Sequence, residues 1–143
     1  MSITQELAQR SHAVTYSALP AQAVCWAKTL VLDTIGVALA GSVEECTRIV
    51  ANAMTVGAPE GSSLLFGTTR RVAPLDAALV NGTAAHALDF DCANSYFGGH
   101  PTVHLVPALY ALSEFAEADG KAFISALTAR SEEHTSELQS HHD

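Results

Sequence analysis

Apolar positions recur along most of this chain at intervals of three and four, the spacing that places side chains on one face of an α-helix. Ile3 to about His12 reads as a first helix, followed by a linker to Leu19. Pro20 suits a first helical position, and Val24, Ala27, Val31, Ile35 and Leu39 follow at helical spacing until Gly41 stops the run. Glu44 to Val56 is a third helix, with Glu44 and Glu45 in its first turn and Gly57 at its end. Ser62 to Phe66, bounded by Gly61 and Gly67, is the one short extended piece expected. Pro74 starts a nearly uncharged helix that runs to Ala87. After a loop from Cys92 to Gly99, Pro101 starts another, with Val103, Val106, Leu109, Tyr110, Leu112 and Phe115 inward; Gly120 separates it from a last helix over Ala122 to Thr128. The pattern predicts an all-α fold, with no repeat or heptad array.

Composition narrows this reading. Of the 143 residues 48% are apolar, more than helices of this number need for one another, so some faces are expected to be covered by further chain. The net charge is −8, and no basic patch is visible beyond Arg70-Arg71, which argues against nucleic acid as a partner. Cys25, Cys46 and Cys92 have no ligand-like spacing and read as reduced thiols. The amino terminus has no secretion-signal pattern, and Leu30 to Ala40, interrupted by Asp33, is expected to be too short to span a bilayer; a soluble, cytoplasmic protein is expected, with no membrane partner.

Chemistry concentrates in one place. His86, Asp89 and Asp91 are the first strongly polar side chains after Asn81, and His100-Pro101 follows closely. On a helix, Gly82, His86 and Asp89 would share a face, with Gly82 leaving room in front of it, while Asp91 lies where the helix should be ending. Gly98-Gly99 would let the backbone approach a ligand, and the helix starting at Pro101 would offer a carboxylate its free N–H groups. Histidine can donate or accept a proton near neutrality. Taken singly, each of these residues is as well explained by structure: a core histidine, a helix-stop carboxylate, a turn.

The run Asn81-Gly82-Thr83-Ala84-Ala85-His86-Ala87-Leu88-Asp89-Phe90-Asp91, closed by His100-Pro101, resembles the signature of the MmgE/PrpD family, N-G-x-x-x-H-x-L-D-[FY]-D-D, a short loop, then H-P-S. Leu32-Asp33-Thr34-Ile35-Gly36-Val37-Ala38-Leu39-Ala40-Gly41 resembles its L-D-x-x-G-x-x-x-A-G segment. The departures are Cys92 for the second adjacent Asp, Ala93 for a polar residue, and Thr102 for Ser. The resemblance implies the first part of a helical large domain, without metal or other cofactor. It implies a lyase acting on a small polycarboxylate, by dehydration as with 2-methylcitrate or decarboxylation as with cis-aconitate, in a protein that forms homodimers. It assigns Asp89 and His100 to catalysis, with His86, Asp91, Gly99 and Thr102 supporting them or the substrate; other catalytic residues of the family lie further along. Two other classes compete: a metal-dependent hydrolase using His86, Asp89, Asp91, His100 and His104, whose spacing fits no known metal motif, and a non-catalytic helical fragment.

Arg130 to Ser140 resembles the conceptual translation of a sequencing-library adapter, so a partial family domain is expected over residues 1–129 and an unrelated tail over 130–143. Ordering that tail would cost about 20 kcal/mol at roughly 1.5 kcal/mol per residue, against about 2 kcal/mol from burying Leu138. Disorder, or a frayed continuation of the preceding helix, is the expectation, and His134, His141 and His142 are not read as a metal site.

Overall fold

The computed structural model describes residues 2–93 and 99–139, with side chains described as far as residue 129. The elements are α1 (Ile3–Ala13), a 3-10 turn (Tyr16–Ala18), α2 (Ala21–Gly41), α3 (Glu45–Thr55), β1 (Ser63–Leu64), β2 (Arg71–Val72), α4 (Pro74–His86), α5 (Thr102–Phe115) and α6 (Gly120–Gln139). Helix dominates, as expected. One detail differs: the extended piece is an antiparallel hairpin, with Ser63 opposite Val72 and Leu64 opposite Arg71. The second strand is two residues long, too short for alternation to show in sequence.

Two compact units share the chain. The first takes residues up to Lys28 and from Asp119 onward, where α1 and the 3-10 turn pack on α6. Ser2 and Gln5 form a reciprocal capping box on α1. Asp119 caps α6 by accepting from the Ala122 N–H at 2.8 Å, so Gly120 lies inside that helix instead of separating helices at a distance. The backbone of α6 continues to Gln139.

The second unit, Thr29–Ala118, holds the rest of α2, α3, the hairpin, α4 and α5. Its contacts are made largely by small residues. Ala27 of α2, expected inward, is buried, but on the part of α2 in this unit the buried positions are Thr34, Ala38 and Gly41, while Ile35 is half-buried and Leu39 is 48% exposed. The buried stripe is therefore rotated by about one residue from the expected one. The reason is close approach: a Cβ on Gly41 would lie 2.0 Å from the Ala84 carbonyl oxygen, so α2 meets α4 at backbone distance. Ala38, Ala84, Ala85, Val103 and Phe66 form one apolar cluster, with Phe66 edge-on to Tyr110 at 5.0 Å. Leu65, Val72, Ala77, Val80 and Ala111 form another.

Asn81 ties the hairpin to α4. Its Oδ1 accepts from the Phe66 N–H at 2.8 Å and its Nδ2 donates to the Leu64 carbonyl at 2.9 Å, satisfying a backbone that the short sheet leaves unpaired. Along α5 the inward residues are Val103, Val106, Pro107 and Ala111. Leu112 and Phe115, expected inward, are exposed; they follow Ala108 at helical spacing, on the face next to the buried one. Pro107 has no N–H for the Val103 carbonyl, and that oxygen lies beside Gly82, where a Cβ would approach it to 3.2 Å.

The apolar stretch from Leu30 to Ala40 is the second half of α2, which spans the helix expected from Pro20 to Gly41. By length and composition alone, α2 could cross a membrane. Asp33 does not interrupt it, since a charged side chain is no helix breaker, and its Ala38–Gly41 face packs on α4.

Gly41→Ala is expected to lower stability by about 1–3 kcal/mol through overpacking against Ala84. Gly36→Ala, at a helical position whose Cβ would meet nothing within 4 Å, should raise it by about 0.5–1 kcal/mol. Urea midpoints of the two variants check this, and a shift of the same sign in both would contradict it.

Candidate functional site

Helix α4 carries His86 on its last residue and then stops. The Ala87 N–H turns back to the Ala84 carbonyl and the Asp89 N–H to the His86 carbonyl at 3.1 Å. Asp89 takes φ 55°, the left-handed region that aspartate enters more readily than most residues. The expected single face of Gly82, His86 and Asp89 therefore does not form, because the helix has ended before Asp89. The turn brings Asp91 back beneath His86, while α5 begins at Thr102 just after His100.

Asp91 is the centre of the resulting cluster. Its side chain is fully buried, and its two oxygens are each met by one imidazole: His86 Nδ1 at 2.9 Å on Oδ1 and His100 Nδ1 at 2.8 Å on Oδ2. The two rings meet edge to face, 4.9 Å between centroids. Asp89 stands outside, 76% exposed, with Oδ1 3.7 Å from His100 Nε2 and 4.0 Å from His86 Nδ1. His104 is directed to the His100 carbonyl, 3.0 Å from its Nδ1.

Burial pushes the Asp91 carboxyl up, but the hydrogen bonds from His86 and His100 outweigh it and hold its pKa below the ordinary carboxylate value of 3.8. The same bond to Asp91 raises His86 above 6.5, against a smaller cost of desolvation and with lesser help from the charges of Asp91 and Asp89. With Nδ1 donating to Asp91, each ring keeps Nε2 as its free site for proton transfer.

Beside this cluster lies a cleft of about 740 Å³, lined by Gly82 and Thr83 of α4, Val103 and His104 of α5, and both cluster histidines. That volume suits a small ligand. Cys46 reaches the same cleft from α3. Thr102 is buried, and its Oγ1 has no hydrogen-bond partner among the described residues. Gly99 is half-buried, with open space where a Cβ would lie; Gly98 falls outside the described residues. All three cysteines are exposed thiols. One ligand atom from each of His86, Asp89, Asp91 and His100 lies within 4.8 Å of the others, so the fold gathers donors whose spacing along the chain matches no metal motif.

The four residues that the sequence singled out thus meet at one site, but in different places from those expected. Asp91, at a supporting position in the sequence reading, joins the two histidines, and Asp89 is peripheral. His104 entered the sequence reading as a possible ligand in the metal-dependent hydrolase alternative; it lies at the cleft and is not in the four-residue cluster. The Cys46 contribution carried no signal, since nothing in a lone cysteine on an amphipathic helix marks it as facing a cleft.

A helical scaffold presenting paired imidazoles on a shared carboxylate is suited to moving protons on a small molecule. Comparison with known proteins fixes the kind of scaffold: residues 5–133 match the MmgE/PrpD N-terminal domain, and the chain belongs to the MmgE/PrpD family. It is 32% identical over 114 residues to human cis-aconitate decarboxylase, covering 79% of this chain and 24% of that protein. It is also 32% identical over 127 residues to the cis-aconitate decarboxylase-like protein oryM of Aspergillus oryzae, covering 88% of this chain and 26% of that one. The mouse cis-aconitate decarboxylase matches at 32% over 114 residues. The chain spans about a quarter of the length of these relatives.

The pair of shifts defines a pH window. Because His86 is raised, its bond to Asp91 stabilises fully below 6.5 and is lost as pH rises through the folded-state pKa; because Asp91 is lowered, its contribution is present above 3.8 and is lost as pH falls through its own. NMR titration should find His86 above 6.5 and returning toward that value in Asp91→Asn. An unchanged His86 titration in that variant would show that the bond is not formed in solution.

Proposed function

We propose that this chain supplies part of the acid/base site of a lyase acting on a small polycarboxylate, with decarboxylation of the cis-aconitate kind as the reaction. The observation that carries the reading is the pair of imidazoles anchored to one buried carboxylate at the wall of the cleft. Loss of carbon dioxide leaves an electron pair on carbon, and an imidazolium can deliver the proton that captures it. His100 is the donor in this reading, and Asp89 at the rim accepts a hydrogen bond or proton from the substrate. Asp91 orients both rings, and His86, kept protonated to higher pH, adds positive charge where a polyanion must bind to an acidic chain. The start of α5, with Thr102 and Gly99, is placed to take a substrate carboxylate.

Dehydration of the 2-methylcitrate kind is a second reading. The two imidazoles favour it, because removing a C–H proton and assisting departure of hydroxide calls for a base and an acid at one site.

In both readings the site is composite. Leu75, Leu79, Leu112 and Phe115 are exposed apolar side chains of α4 and α5, which supports a whole protein in which further chain or a second copy covers them. We take that protein to be a soluble cytoplasmic homodimer without a cofactor, and residues 130–143 to be foreign to it, although the family match runs to residue 133.

In the full-length protein, Asp89→Asn and His100→Ala should each lower turnover by roughly 100-fold or more with helix content retained. Wild-type turnover in both would remove the assignment. The 143-residue chain should turn over neither cis-aconitate nor 2-methylcitrate and should self-associate in sedimentation experiments. A monodisperse, active monomer would show that the site is complete without further chain.

A further inference from the structure

The acid/base reading uses the cluster for protons alone, yet its donors suit another occupant. We propose that His86, His100, Asp89 and Asp91 together bind a divalent transition-metal ion, with zinc as the type case.

Three observations carry this. One ligand atom from each of the four residues lies within 4.8 Å of the others. Zinc takes nitrogen at about 2.0–2.1 Å and carboxylate oxygen at about 2.0–2.2 Å, so ligands around one ion can be separated by up to roughly twice those lengths. Asp91, with its two oxygens 2.9 and 2.8 Å from the imidazole Nδ1 atoms, already holds both rings around one point, so an ion entering there takes the place of the protons that those bonds share. The donors are also selective in kind: two imidazole nitrogens with carboxylate oxygen suit zinc, cobalt or nickel, whereas magnesium and calcium prefer oxygen alone. Since the cluster borders the cleft, the ion is reachable from solvent.

Binding replaces a proton on any imidazolium it engages, so affinity must fall as pH drops through the ordinary histidine range. An ion held there engages Asp89 and both imidazoles, the groups that the lyase reading uses, and therefore blocks lyase chemistry. That consequence rests on the lyase reading; binding itself does not.

The test is titration of the full chain with zinc against a chromophoric chelator, and with cobalt followed by visible absorption, both without substrate. One ion per chain is expected, with weaker binding at pH 5.5 than at pH 7.5 (about these values, chosen to bracket the ordinary histidine pKa). His86→Gln and Asp89→Asn, at exposed positions, should each weaken binding by about tenfold or more, and Asp91→Asn by about 10–100-fold. Circular dichroism verifies that each variant keeps its helix content. Replacing His134, His141 and His142 together by Ala should leave the cluster's ion in place. No binding, or binding that survives the cluster variants and disappears with the tail histidines, would overturn the proposal and leave the lyase reading untouched. Loss of turnover in the full-length Asp89→Asn protein with zinc binding as expected would support both.

Discussion

Helix α4 can occupy its place only because its contacting positions carry almost no side chain. Gly41 of α2 meets the Ala84 carbonyl where a Cβ would be 2.0 Å from oxygen, and Gly82 faces the Val103 carbonyl of α5. Ala77, Ala84 and Ala85 are all but completely buried. Such contacts bring backbones together and position a helix more tightly than long flexible side chains can. The hairpin is then held to the same helix by the two hydrogen bonds of the Asn81 amide. What this secures is the end of α4, from which His86 projects.

At that end the physics changes from packing to charge. A carboxylate buried alone would take up a proton; Asp91 stays ionised because both of its oxygens are paired with imidazole N–H groups. The dependence is mutual, since Asp91 also fixes which nitrogen of each ring is left free. His86 arrives from α4 and His100 from the chain leading into α5, so the carboxylate joins the two elements as well as tuning them.

Much of the fold was legible in helical periodicity, with Pro20 and Gly41 bounding α2, Gly57 following α3 and Pro74 starting α4: these helices and α1 begin and end within a residue or two of the expected positions. The face of α2 was misjudged because hydrophobicity was weighed and size was not. Burial at Thr34, Ala38 and Gly41 is chosen by how near two backbones come, a quantity that belongs to the partner helix as much as to α2. Leu112 and Phe115 erred the other way: apolar residues next to a buried stripe read as part of it until the fold shows which face has a neighbour. The site's members were legible as polar residues in an apolar stretch and through the family signature. Their arrangement was not, because helical periodicity was extended through Asp89, where the backbone has already turned left-handed.

That left-handed turn governs which residues the position can accept. Few side chains enter positive φ cheaply; Gly, Asn and Asp are the exceptions. The backbone therefore limits sequence drift at residue 89 independently of any role for the carboxylate, and the occurrence of Asp there in a related protein need not signify chemistry. Asparagine is the one replacement that keeps both the shape of the side chain and its tolerance of the turn while removing the charge. Alanine would change conformation and charge together, and its phenotype would report on both.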